Sequence, residues 1–226
     1  MEIRAIEWQR MSFGDCKMSE EEQNSDKIQS TLLLLGNRGI QLDSGLSDGE
    51  VERTENYFGF RFPFDLRGLL QTALPVGGKP GMQSGAFPNW RSGDLNELEG
   101  RLNWPFEGMA FDIENNVFWL DEWGTKPDNT SEALKIAQEK VSEAPRLIPV
   151  YSHRYIPSEP SVSGNPVFSV HQTDIIYYGQ NLWDYFEQEF GEHDEGWYGG
   201  ERYSNFTREQ YLAAHRHISF WSDLVS

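Results

Sequence analysis

In the stretch GNPVFSVHQTDIIYYG, residues 164–179, His171 and Asp174 stand three positions apart between two apolar runs. An imidazole beside a carboxylate is half of a general-base arrangement: the carboxylate fixes the ring tautomer while the ring takes up a proton. The other half, a nucleophile or a water-activating partner, is not identifiable from the sequence. GLSDG, residues 45–49, fits the G-x-S-x-G nucleophile elbow, and Asp and His residues follow it in the chain order of an α/β-hydrolase. An elbow needs a strand before its serine within a parallel sheet, and the residues before Ser47 read as mainly helical. Ser47 also has a sufficient role as a helix cap. A hydrolase using His171 and Asp174 is therefore the weakest of the alternatives.

Metal and cofactor chemistry find less support. His215 and His217 are two apart, so on a helix they point to nearly opposite sides and cannot converge on one ion. His193, Asp194 and Glu195 match no ligand spacing, and Cys16 is the only cysteine. LPVGGKPG, residues 74–81, has glycines and a lysine without phosphate-loop spacing. No cofactor and no metal are expected.

The charge balance points elsewhere. The 226 residues include 36 acidic and 19 basic side chains, a net charge of −17. Such a field repels nucleic acid and anionic membranes and attracts basic proteins. Residues 181–201, NLWDYFEQEFGEHDEGWYGGE, carry seven carboxylates and no Lys or Arg, with Trp197 and Tyr198 among them. A single cysteine excludes an intramolecular disulfide and makes a reducing, cytoplasmic setting the expectation. The longest aliphatic run, TLLLLG, is far short of a membrane span, and the first residues lack a signal-peptide apolar core.

These residues must be positioned by elements the sequence announces. Ser25 to Leu35 predicts a helix with Ile28, Leu32 and Leu35 on one face and Gly36 as its stop. Ser47 with Glu50 forms a capping box for a helix ending at Gly59. Pro63 opens another, with Leu66, Leu69, Leu70 and Ala73 facing the core. GMAFDIENNVFWLDEWG alternates as two short strands around a turn at Glu114 to Asn116. Asn129 to Val141 reads as an amphipathic helix, and RLIPVYSH, NPVFSV and DIIYYG as strands. The near-continuous apolar character of the last two predicts strands covered on both faces, with His171 to Asp174 as the turn between them. Asn181 caps a helix buried through Leu182, Tyr185, Phe186 and Phe190. Thr207 with Gln210 caps a final helix carrying Tyr211, Ala214, Ile218, Trp221 and Val225 on one side. The pattern predicts one α+β domain over residues 1–226, a single central antiparallel or mixed sheet with helices mainly on one face. Helical N- and C-terminal extensions complete it: residues 1–24 precede the core, and 191–226 add an acidic loop and a helix.

The order of motifs over residues 28–190 resembles the SUKH superfamily, whose eukaryotic members are the Smi–Knr cell-wall assembly regulators. GLSDGEVERTENYFGFRFPFDLRGLL resembles its opening, FPNWR and FWLDEWG its middle, and IPVYSHRYIPSEP followed by GNPVFSVHQTDIIYYGQNLWDYFEQEF its closing strands and helix. The resemblance implies an α+β fold and no established enzymatic activity. It also implies similarity to bacterial immunity proteins that bind and neutralise a cognate toxin, often a nuclease, or to eukaryotic signalling scaffolds.

Acidic, aromatic-rich composition and the resemblance converge on a non-enzymatic module for a basic toxin domain. The expected contact surface combines Trp90, Arg91, Trp119, Asp121, Trp123, His171 and Asp174 with Glu192, Asp194, Glu195 and Trp197 of the acidic stretch. Core packing is the competing reading for each tryptophan.

Overall fold

The computed structural model describes residues 20–81, 85–192 and 205–225. Its elements are α1 (Glu20–Asn37), β1 (Gln41–Ser44), α2 (Asp48–Phe58), α3 (Phe64–Thr72), β2 (Ala73–Val76), α4 (Leu95–Asn115), α5 (Thr130–Glu143), β3 (Leu147–Tyr151), β4 (Arg154–Pro157), β5 (Val167–His171), β6 (Asp174–Gly179), α6 (Leu182–Phe190) and α7 (Arg208–Ala213). The fold is α+β. Strands β3-β4-β5-β6 form an antiparallel meander, and β1 pairs with β2 in a separate two-stranded ribbon that the sequence did not announce.

Alternation along the meander supplies both faces with apolar side chains. Ile148, Val150, Ile156 and Val167 join a core built with α1, α2, α3 and α6. Phe168, Val170, Ile175 and Tyr177 face the other way, against Ile218, Trp221 and Val225. Both faces are thus covered, as the apolar runs on either side of the 171–174 turn predict. The predicted caps also form: Ser47 and Glu50 close a reciprocal capping box on α2, Gly59 ends that helix at φ 72, and Asn181 caps α6. Thr207 and Gln210 close the second box.

Two of the predicted elements take another form. GMAFDIENNVFWLDEWG is not a pair of strands: α4 runs unbroken from Leu95 to Asn115 and contains Pro105. Local alternation lost to the 3.6-residue stripe of Leu98, Leu102, Met109 and Ile113, all buried. A proline inside a helix removes the N–H owed to the carbonyl four residues back, here Arg101. Tyr155 of β4 donates its hydroxyl to that carbonyl at 2.9 Å, so the sheet satisfies what the helix cannot. The second is the last helix, which stops at Ala213. Ile218, Trp221 and Val225 are buried as the stripe requires, but on a chain that turns. Ser222 Oγ accepts from the Ile218 N–H at 2.7 Å and Asp223 Oδ2 from the Phe220 N–H at 3.1 Å, short-range bonds that compete with helix.

Candidate partner-binding surface

His171 and Asp174 are register partners at the end of the β5–β6 hairpin, and both are exposed. Between them Gln172 takes φ 57, a left-handed conformation that a residue with a Cβ adopts at a cost. Helix α4 holds the turn there. Asp112 Oδ2 accepts from the Thr173 N–H at 2.9 Å and from its hydroxyl at 2.6 Å, while Oδ1 accepts from Asn116 at 2.6 Å. The helix offers Gly108 at the point of approach, where an added Cβ would lie 2.7 Å from the Gln172 Cα. Burial works against the charged form of Asp112. The bonds from Thr173 and Asn116 outweigh it and hold the carboxyl below its ordinary range.

Around this latched turn α4 turns a mixed face outward. Trp104 and Phe111, four residues before Gly108 and three after it, lie along the same stripe and are 50% and 47% exposed. Glu107 and Glu114 form the adjoining row and are exposed. The stripe is therefore aromatic, acid, aromatic, acid, and the one cation of α4, Arg101, is already paired with Glu97. Val117 follows, 83% exposed at φ 62. A β-branched residue in the left-handed region is strained, and one that buries nothing gains no packing in return. The alternation of residues 108–124 disguised Phe111 and Glu114 as strand positions, and no element was predicted over the preceding residues that hold Trp104 and Glu107. The spacing of Trp104, Glu107, Phe111 and Glu114 at i, i+3, i+7 and i+10 was the available signal.

Of the expected surface, His171 and Asp174 adjoin this stripe and the rest divides. Trp90 belongs to the core: it is 5% exposed and packs edge-on against Phe58, Phe60 and Phe62, which withdraws it from any contact surface. Arg91 is committed internally, to Glu50 at 2.6 Å and to the Ser44 and Gly45 carbonyls at 2.9 and 2.8 Å. It ties the start of α2 to the end of β1, and with Ser47 it brings the Glu50 carboxyl down to about 2. Trp119 and Trp123 are half-buried; they meet edge-on at 5.1 Å, and Trp123 stacks on Phe220. Asp121 is exposed in the short 3-10 turn between them, and Glu192 is exposed after α6. Asp194, Glu195 and Trp197 lie outside the described residues, as do Cys16 and His193.

The remaining motifs resolve locally. A strand, β1, does precede Ser47, contrary to the helical reading of that segment. It belongs to the antiparallel ribbon, however, and the Ser47 hydroxyl lies 2.8 Å from Glu50 within the capping box. Lys79 of LPVGGKPG donates to the Glu189 carboxylate at 2.8 Å and to its carbonyl at 2.7 Å. His215 is buried and stacks on Tyr177 at 4.1 Å, whereas His217 is exposed and pairs with Asp223 at 2.8 Å. Among the described residues, no helix is long and apolar enough to cross a membrane.

No family model, curated protein or solved structure matches the chain.

Proposed function

We propose that this protein is a non-enzymatic binding module for a basic protein, most specifically an immunity protein of the SUKH kind that neutralises a basic toxin domain, as the order of its motifs suggests. The observation that carries the reading is the outward stripe of α4, where Trp104, Glu107, Phe111 and Glu114 alternate beside a turn fixed by Asp112 and Gly108. Half-exposed aromatic rings provide contact area at low entropic cost, and carboxylates between them attract and orient a cationic surface. A net charge of −17 adds long-range steering. Val117, strained and exposed just beyond the C-terminal end of α4, supplies a further apolar contact whose strain a bound partner would offset.

Co-expression with the product of the adjacent gene tests this directly. A neighbour that is toxic alone, harmless with this chain, and retained in a complex at low salt supports the reading. A harmless neighbour with which no complex forms sinks it. Within such a complex, Glu107→Lys with Glu114→Lys should slow association and flatten its salt dependence, and Trp104→Ala should speed dissociation.

A further inference from the structure

On the opposite side of α4 from Trp104 and Phe111 lies a cleft of about 790 Å³. The α2–α3 link, the middle of α4, the end of α5, the loop after β4 and Trp221 enclose it. Its volume is that of an ordinary small-ligand site. Phe60, Leu102, Phe106 and Trp221 give it apolar walls, and Asn103 and Gln138 add neutral polar groups.

Five charged side chains line it, and their pairing is uneven. Arg61 is neutralised by Glu55 at 2.7 Å, and Glu143 is paired with Lys140 at 3.3 Å. Glu159 stands on the outer loop and is exposed. Arg146 is different. Its Nη1 donates to the Phe58 carbonyl at the end of α2, at 2.6 Å, and among the described residues no carboxylate lies within ion-pair distance of it. The carboxylate that acts on it, Glu99, does so from beyond contact and accepts from the Tyr57 hydroxyl at 3.2 Å, so in a chain with nearly twice as many acids as bases Arg146 stands on the cleft wall without an ion-pair partner. The anchor uses one of its five N–H groups and leaves a donor fork of the shape that receives a carboxylate. The Arg146 backbone is fixed as well, because its carbonyl accepts from the Ser158 N–H at 2.8 Å. Burial lowers the pKa of Arg146 and Glu99 opposes that shift; a guanidinium is a cation at neutral pH in any case.

We infer that the cleft binds a small organic acid, its carboxylate on Arg146 and a ring-sized apolar body against Phe60, Phe106 and Trp221. The site is independent of the partner surface, since the two lie on opposite flanks of α4, and either can fail without the other.

Calorimetry on the full chain with indole-3-acetate, indole-3-acetamide and inorganic phosphate decides the matter. The acid should bind and the amide should bind about tenfold more weakly or not at all, because only the acid makes a charge-assisted bond. Phosphate alone should not compete. Arg146→Met should lose about tenfold for the acid and leave the amide unchanged, with Arg146→Lys between. Arg146→Met is judged only after its unliganded melting curve shows a cooperative fold, and the acid-to-amide comparison on the unaltered chain needs no variant. Trp104→Ala should bind the acid as the unaltered chain does. Equal binding of acid and amide, no binding of either, displacement by phosphate, or full affinity in Arg146→Met would each overturn the inference.

Discussion

The Tyr155 hydroxyl donates at 2.9 Å to the carbonyl of Arg101, the acceptor that Pro105 leaves without its helical N–H. A strand thereby completes a helix. Tyr155→Phe should cost about 1–3 kcal/mol by leaving a carbonyl without a donor in the interior. Pro105→Ala restores the missing N–H, so in that background the same substitution should cost much less. Urea titration of the four proteins gives the coupling. An equal cost in both backgrounds would show that Tyr155 acts by packing alone.

Gly108 is the other accommodation α4 makes to the sheet. Alanine there improves helix propensity by about 0.5–1 kcal/mol. It also drives a Cβ to 2.7 Å from the Gln172 Cα, a backbone contact that cannot rotate away. Overpacking of this kind costs about 1–3 kcal/mol, so the sum should be destabilising, and the hairpin tip should move off the helix. Amide chemical shifts at Gln172 and Thr173 would report it; a Gly108→Ala protein more stable than the parent contradicts the close approach.

Val117→Asn should separate stability from binding. Asparagine tolerates the left-handed region, so relief of strain should add about 0.5–1 kcal/mol. The apolar contact is lost at the same time, so a more stable protein that binds its partner more weakly is expected. A stabilised variant with unchanged dissociation would remove Val117 from the docking face.

Acid should loosen the hairpin end of the sheet in two steps. His153, in the β3–β4 turn at the same end, is lowered from 6.5 to about 4, first by burial and then by the Arg154 guanidinium. A histidine kept neutral by folding contributes stability that is full above its unfolded pKa and declines as pH falls from 6.5 toward 4. Asp112 is a carboxylate with a depressed value, so its contribution persists through that window and is lost only below the ordinary carboxylate range. His153→Gln should flatten the stability profile between pH 6.5 and 4, and Asp112→Asn should flatten it below. An NMR titration of His153 with a midpoint near 6.5 would exclude the first step.

Much of this architecture is legible in the residues that punctuate it. Ser47 with Glu50, Gly59, Asn181, and Thr207 with Gln210 each mark an end the structure places where they predict, since caps are short-range chemistry. The β5–β6 hairpin is equally readable from apolar runs on either side of a polar turn. What stayed hidden depends on contacts distant in sequence. The strand-like alternation of residues 108–124 disguised α4, and the donor that makes Pro105 tolerable within the helix is fifty residues away on Tyr155. The ribbon of β1 and β2 joins segments separated by two helices, and each strand is only four residues long. The proposed contact surface is legible only in part for the same reason. Trp90 attracts notice in an exposed-looking loop yet fills a ring of phenylalanines, while Trp104 and Phe111 acquire meaning only once the segment is known to be helical.

The meander ends at β6, and the outer edge of a last strand is an open invitation to any extended chain. Here Val225 comes alongside in a parallel bridge to Ile175, with its carbonyl accepting from Arg208 at 3.0 Å and Trp221 anchored beneath by a 2.6 Å bond to the Pro145 carbonyl. At that position the edge of the sheet is closed by the protein's own chain. A strand added along β6 would have to displace Val225 before it could pair at Ile175. Under the proposed function that leaves the discrimination at this end of the sheet to side chains, which can tell one protein from another where a bare row of amides would accept both.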